Sequence, residues 1–207
     1  MTEGRAGYAK PRSRFLQWLL RSPLVALAVA WTFQGMLYMD PTERRFKLVL
    51  DFWLTAGLGL VLSTLLQWYI AWPLAFAAAH SLNFLFNGEL WGVLKHYGFI
   101  EQQHHEFDEY VQAFCKRAQH EPAVDYVLVC GSVARDEWSP QSDLDVRLVR
   151  VPGFLNGLRA CWFLLYERTR ALFAGFPLDA YVLDGEASLQ KLRLEERPEV
   201  GTEECER

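Results

Sequence analysis

Residues with the chemistry to bind phosphate and divalent cations are concentrated between positions 126 and 151. The apolar run 127–130 predicts a buried strand that ends at Gly131 and Ser132, where free N–H groups and a hydroxyl suit a phosphate. Asp143 and Asp145 follow after a gap of about ten residues, in a polar/apolar alternation that places both carboxylates on one face of a second strand. Neighbouring carboxylates repel each other and therefore favour a bound cation.

This combination resembles the nucleotidyltransferase superfamily. The segments GSVAR (131–135) and SDLD (142–145) are most similar to its minimal members, and the resemblance covers residues 99–184. It implies an α/β palm, which is an α+β fold with a small mixed sheet and flanking helices. It also implies transfer of a nucleoside monophosphate from an NTP to a hydroxyl acceptor, with two Mg²⁺ ions, or Mn²⁺, as cofactors.

The resemblance requires a third carboxylate on a later strand, and two residues compete for this role. Asp179 lies between apolar residues in the predicted strand 176–182, whereas Asp184 precedes Gly185 and has the character of a turn residue. Asp179 is therefore preferred. The roles that the resemblance implies are catalysis and metal binding for Asp143, Asp145 and Asp179, and nucleotide binding for Gly131, Ser132, Arg135 and Arg147.

The predicted elements around these residues suit a palm. An amphipathic helix is expected at 102–119, before the first strand, and a second one at 154–173, before the strand that carries Asp179. A short helix is expected at 133–137, with its amino end towards the nucleotide. Alternating helices and strands favour a small sheet with helices packed against it.

The first 98 residues predict a membrane anchor. No charged residue occurs at 22–39 or at 52–88, and a membrane-spanning helix needs about 20 apolar residues. Two spans are predicted, at about 22–39, with an interfacial helix as the alternative, and at about 52–72, with a buried core helix as the alternative. An interfacial helix follows at about 74–91, because Pro73 is expected to break the second span. The anchor makes the lipid bilayer a partner.

A polar face interrupts the last apolar stretch. His80, Asn83 and Asn87 share one side of a helix, because their spacing is i, i+3 and i+7. Two interpretations stay open: the face lines a groove or binds the catalytic domain, or it hydrogen-bonds to neighbouring helices.

Charge predicts the orientation of the chain. Basic residues precede the first apolar run and also occur in a predicted loop at 40–51, and the excess before the run favours a cytoplasmic amino terminus. Two spans then return the second half to the cytoplasm, where NTPs are found. The net charge of −4 and an acidic tail at 185–207, predicted to be disordered, argue against nucleic acid as the acceptor.

Two other functions fit the same residues. The first alternative is a catalytically inactive nucleotide-binding or regulatory module. The second is an antitoxin-like nucleotidyltransferase that modifies a partner protein. A small catalytic domain also favours a homodimer or a partner subunit. The four cysteines lack metal-ligand spacing and predict free thiols in a reducing compartment.

Overall fold

The computed structural model describes residues 22–37, 39–88, 90, 104–131, 139 and 142–189. Three helices come first: α1 (Pro23–Phe33), α2 (Pro41–Ser63) and α3 (Trp68–Phe86). They are followed by α4 (His104–Gln119), β1 (Val124–Cys130), β2 (Leu144–Arg150), α5 (Phe154–Ala174), β3 (Leu178–Leu183) and the short α6 (Glu186–Leu189). The predicted α+β class and the order of the long helices and strands are confirmed. The short helix expected at 133–137 lies outside the described residues.

The sheet has the order β1-β2-β3, with β1 antiparallel to β2 and β2 parallel to β3. Successive side chains of a strand point to opposite faces. Val146 and Leu148 therefore lie on one face, in a core with Phe114 of α4 and Leu164 of α5. The alternation of β2 thus assigns one face of the sheet to packing against helices and the other to polar residues.

The free edge of β3 is covered by the beginning of α2. The Val182 N–H donates to Glu43 Oε2 at 2.8 Å, and the Asp184 N–H donates to Asp40 Oδ2 at 2.8 Å. Unpaired groups at a sheet edge need partners, and acidic side chains at a helix start can accept from them. The start of α2 is therefore a structural part of the sheet.

The first predicted span, at 22–39, is wrong because α1 has only 11 residues. Such a helix is about 17 Å long, whereas the hydrocarbon layer is about 30 Å thick. The chain leaves the helix at Gln34, which has a left-handed conformation (φ 45°). Its carbonyl accepts from Lys47 Nζ at 2.6 Å, and its side-chain amide donates to the His80 carbonyl at 2.8 Å. These long-range contacts end the helix.

The second predicted span, at 52–72, is also wrong in its bounds, because α2 ends at Ser63 and α3 begins at Trp68. Ser63 Oγ donates to the Gly59 carbonyl and Thr64 Oγ1 to the Val61 carbonyl, both at 2.7 Å. Side chains that bond to nearby carbonyls compete with helix propagation. The predicted loop at 40–51 is likewise wrong, since its residues from Pro41 onwards are the first turns of α2.

Pro73 does not break the chain into a span and an interfacial helix, because it lies inside α3. Proline cannot donate to the carbonyl of Tyr69, yet packing against α2 maintains the helix. Ala71, Ala75 and Ala79 are fully buried, and this spacing of four residues places small side chains along one face of α3. The predicted interfacial helix at 74–91 is thus largely the second half of α3.

By length and composition, α2 and α3 are each able to cross a membrane. Their shared interior holds the polar face, for which both interpretations hold in part. His80 Nδ1 lies 2.8 Å from Asp51 Oδ2 in α2, and Asn83 Nδ2 donates to the Lys47 carbonyl at 3.4 Å. Asn87 Oδ1, by contrast, accepts from Arg168 of α5 at 3.0 Å. The face therefore joins the two helices to each other and to the sheet domain.

Gly59 is expected to be essential for the close approach of α2 and α3. A Cβ at Gly59 would lie 2.6 Å from Trp72, whereas Gly57 has nothing within 4 Å of such an atom. Gly59→Ala should lower the free energy of unfolding in detergent by about 1–3 kcal/mol, because the helices must separate. Gly57→Ala should be neutral or stabilising by up to about 1 kcal/mol. Equal effects of the two substitutions in thermal unfolding would contradict this packing.

Two smaller predictions also change. Cys130 and Cys161 are free and buried, but Cys115 is disulfide-bonded, so the expectation of four free thiols is wrong. The predicted disorder of the tail at 185–207 is wrong at its start, because α6 occupies Glu186–Leu189 and Ser188 is buried. Positions 190–207 lie outside the described residues.

Candidate functional site

The candidate site lies where β1 ends and where β2 and β3 begin. Cys130 pairs with Asp145 across the antiparallel ladder, and Asp145 pairs with Asp179 across the parallel one. Paired residues on adjacent strands present their side chains on the same face. Two carboxylates that are distant in the chain therefore become neighbours, directly after the turn that begins at Gly131.

Gly131 lies directly against the Asp145 carboxylate. It has a φ of 75°, a conformation in which residues with a Cβ are strained, and a Cβ added there would overlap Asp145 Oδ2. Both the turn and the close approach thus require glycine. The sequence predicted this residue from its position at the end of the strand, and the structure adds the contact with Asp145.

Asp143, Asp145 and Asp179 interact electrostatically. Burial, the charges of Asp143 and Asp179, and a hydrogen bond with Asp179 together raise the pKa of Asp145 well above its usual value, against an opposing effect of Arg147. Asp143 and Asp145 are partly exposed, and 42% of the Asp179 side chain is accessible. The three acids predicted from the sequence therefore belong to one cluster.

Arg147 is the basic residue that faces this cluster from β2. Its Nη2 lies 3.9 Å from Asp179 Oδ2, and its Nη1 donates to the Asp179 carbonyl at 3.3 Å. Burial opposes its charge, but Asp179 and Asp145 outweigh burial and raise the pKa of Arg147. Arg147 therefore remains a cation. It lies on the same face of β2 as Asp145, as the alternation of side chains along a strand predicts.

Asp184, the competing third acid, lies at the opposite end of β3. It pairs with Arg150 at 2.8 Å and accepts from the Thr42 N–H at 3.2 Å, at the start of α2. Burial raises its pKa, but the hydrogen bonds from Thr42 and Arg150 outweigh burial and lower it. Asp184 is therefore engaged in joining α2 to the sheet, which leaves Asp179 beside Asp145.

Tyr181 is a neighbour of the site that sequence reasoning missed. Two guanidinium groups lie over its ring, with Arg147 Cζ at 4.8 Å from the centroid and Arg168 Cζ at 5.4 Å. Tyr181 follows Asp179 by two residues, so the alternation of β3 was a usable signal. Arg168, on a helix, carried no such signal. Ser132 and Arg135, both predicted to bind nucleotide, lie outside the described residues.

The donor set suits a hard divalent cation, since Mg²⁺ prefers carboxylate oxygens and water. Among the described residues, however, no three Asp, Glu, His or Cys side chains are arranged as a finished metal-ligand group. The parallel register of β2 and β3 places the Asp145 and Asp179 carboxyl groups side by side. The fit to Mg²⁺ therefore rests on the oxygen chemistry of these carboxylates.

Gly131→Ala is expected to disrupt the site and to lower any nucleotide turnover by at least about 100-fold, because the new methyl group displaces Asp145. The free energy of unfolding should fall by about 1–3 kcal/mol. Gly175→Ala is the matched control, since Gly175 has a φ of 68° but nothing within 4 Å of an added Cβ. It carries the backbone strain without the overlap. A similar loss of turnover in both variants would contradict a specific role for the contact.

The geometry thus brings Gly131, Asp143, Asp145, Asp179 and Arg147 together at one end of the sheet. This arrangement has the parts to hold a polyanion and its cation: a glycine turn, adjacent carboxylates and a buried arginine. Comparisons of the chain with known protein families, with curated proteins and with solved structures gave no match.

Proposed function

We propose that this protein is a membrane-bound nucleotidyltransferase that moves a nucleoside monophosphate from an NTP to a hydroxyl acceptor. The observation that carries the proposal is the contact between Gly131 and Asp145, with Asp143 and Asp179 beside it. The resemblance of residues 131–145 to minimal nucleotidyltransferases, and the palm fold that it implies, support the same reaction.

The roles of the residues follow from their chemistry. The backbone at Gly131 would contact the triphosphate, and Arg147 would balance negative charge near Asp179. Asp143, Asp145 and Asp179 would hold Mg²⁺, which, when bound, would neutralise the triphosphate and the leaving pyrophosphate. The acceptor oxygen forms a bond to the α-phosphorus, while the bond from that phosphorus to the β-bridging oxygen breaks. The hydroxyl proton passes to a carboxylate or to water.

The proposal includes insertion of α2 and α3 into a membrane, with the sheet domain on the cytoplasmic side. Large apolar side chains near the turn between the helices are exposed, including Leu65 at 78% and Trp68 at 71%. Large apolar side chains that are exposed to this extent are unfavourable in water and favourable in lipid. NTPs are found in the cytoplasm, so a site that binds an NTP must lie on the cytoplasmic side of the membrane.

Incubation of the detergent-solubilised protein with each NTP and Mg²⁺ tests the reaction by pyrophosphate release. We expect release with at least one NTP, and its loss in Asp143→Asn. Asp125→Asn is the matched control, because Asp125 is an exposed carboxylate at the other end of the sheet. NTP binding without turnover in the unmodified protein would instead favour a nucleotide-binding module. Turnover that persists in Asp143→Asn would place the reaction elsewhere.

A further inference from the structure

The direction of the two apolar helices relative to the site is set by contacts between α2 and α5. Two contacts advance along both helices in the same order, Thr42 with Gly157 and Phe46 with Trp162, and further along Leu54 and Thr169 line a common cavity. Helices whose contacts advance together run in the same general direction. The end of α2, and hence the turn between α2 and α3, therefore lies towards the carboxyl end of α5.

The site lies at this same end of the sheet. A link of three residues joins α5 to β3, so β3 runs back along the helix, and β2 is parallel to β3. Asp145 and Asp179 are each the second residue of their strand. The Leu144 N–H donates to the Pro177 carbonyl at 3.0 Å, which ties the link to the strand that carries Asp145. The strand positions of the carboxylates and the turn between α2 and α3 thus lie towards the same end of the molecule.

The carboxyl half of α5 exposes aromatic side chains and an arginine. Trp162, Tyr166 and Phe173 are exposed by 51%, 57% and 80%, and Trp162 contacts Phe46 of α2. Arg170 lies over the Tyr166 ring at 5.7 Å, and it is itself exposed. Tryptophan, tyrosine and arginine together are typical of the interface between hydrocarbon and headgroups. This surface is continuous with α2 through the contact of Phe46 and Trp162, whose ring centroids are 5.2 Å apart.

We infer that the carboxylate site faces the bilayer surface and that its acceptor is a hydroxyl of a lipid headgroup. This inference rests on the proposed function and specifies its acceptor. Insertion of the turn between α2 and α3 brings Phe173 and the start of β3 towards the headgroup layer. A headgroup hydroxyl then reaches the α-phosphorus without leaving the membrane, which raises its effective concentration at the site.

The transfer balances as a phosphodiester synthesis. The headgroup oxygen bonds to the α-phosphorus, pyrophosphate departs with the electron pair of the broken P–O bond, and the hydroxyl proton goes to a carboxylate or to water. The product is a lipid that carries a nucleoside monophosphate. No oxidant or further reactant is needed.

Photocrosslinking tests the orientation without reference to activity. Phe173 and Phe154 lie at opposite ends of α5 and are exposed by 80% and 85%, so p-benzoylphenylalanine is tolerated at either position. In proteoliposomes, we expect position 173 to crosslink to lipid and position 154 not to. Lipid crosslinks from both positions would mean that α5 lies flat on the membrane, which overturns the inference. Crosslinks from position 173 to a second copy of the chain, or lipid crosslinks from position 154 alone, would overturn it as well.

Product analysis tests the acceptor. Proteoliposomes receive α-³²P-labelled NTPs and contain either phosphatidylcholine alone or phosphatidylcholine mixed with phosphatidylglycerol, phosphatidylinositol and a glycosyl diacylglycerol. We expect label in the organic phase only with the hydroxylated lipids, and its loss in Asp145→Asn. A different outcome is pyrophosphate release with label only on protein, or only on water-soluble products such as added free glycerol or inositol. This outcome overturns the lipid acceptor but leaves the proposed function intact. Absence of pyrophosphate from every NTP overturns both.

Discussion

Asp145→Asn should abolish nucleotide turnover and, in the same molecule, make the fold more stable. Turnover should fall by at least about 10²–10³-fold, the usual effect of removing one group that acts electrostatically at a reacting centre. Stability should rise because the raised pKa of Asp145 reports burial and repulsion from Asp143 and Asp179, and a neutral amide relieves both. A residue that served only to hold the fold together would not give this combination.

Thermal unfolding with and without Mg²⁺ measures the stability effect. In EDTA, Asp145→Asn should melt at a higher temperature than the unmodified protein, by roughly 2–4 °C for each kcal/mol of repulsion that is relieved. Mg²⁺ should raise the melting temperature of the unmodified protein and not that of the variant, since a bound ion stabilises only the state that binds it. Asp125→Asn again serves as the control. A variant less stable than the unmodified protein in EDTA would contradict the view of Asp145 as a strained carboxylate.

Arg168→Ala should lower the free energy of unfolding more than any other substitution predicted for this protein. Arg168 and Glu43 form an ion pair of 2.8 Å with side chains exposed by only 4% and 3%, and Arg168 also donates to the Asn87 side chain and the Ala180 carbonyl. Removing one member of a buried pair leaves an uncompensated charge, at a cost of about 3–5 kcal/mol. The loss should appear in the free energy of unfolding by denaturant.

A double substitution separates the charge from the packing. Arg168→Met with Glu43→Gln should recover part of the stability, because no buried charge remains unpaired and the Gln side-chain carbonyl can still accept from the Val182 N–H. Arg170→Ala, an exposed arginine on the same helix, should change stability by no more than about 0.5 kcal/mol. If Arg168→Ala were as mild as Arg170→Ala, the start of α2 would not be a structural part of the sheet.

The acidic cluster was predictable because two of its members are close in sequence. Asp143 and Asp145 share a strand, and Gly131 stands at the end of the preceding strand, so local alternation was sufficient to place them. The choice of Asp179 over Asp184 needed the tertiary structure, although strand character favoured it. The parallel register pairs Asp179 with Asp145, while the start of α2 engages Asp184 at the other end of β3.

The helices of the first half show where local patterns are insufficient. Apolar composition predicted membrane helices but not their ends, because a continuous apolar run contains no strong signal for a turn. Side chains of Ser63 and Thr64 end α2 by bonding to their own backbone, and the pairing of Gly59 with Trp72 returns the chain against it. Pro73 was a misleading signal, since packing of α3 against α2 outweighs its local cost.

By itself, the sequence determined the types of residue that meet at the site, the spacing of Gly131 from Asp143 and Asp145, and the apolar character of the first half. The tertiary structure alone decided that Asp179 completes the cluster, that Asp40 and Glu43 cover the edge of β3, and that Arg168 joins the apolar helices to the sheet. The physical reason is the separation along the chain over which each kind of interaction acts. Periodicity and turn chemistry act over a few residues, whereas the register of β2 with β3 joins segments separated by a whole helix, and the contacts of α2 with β3 and α5 join groups more than a hundred positions apart.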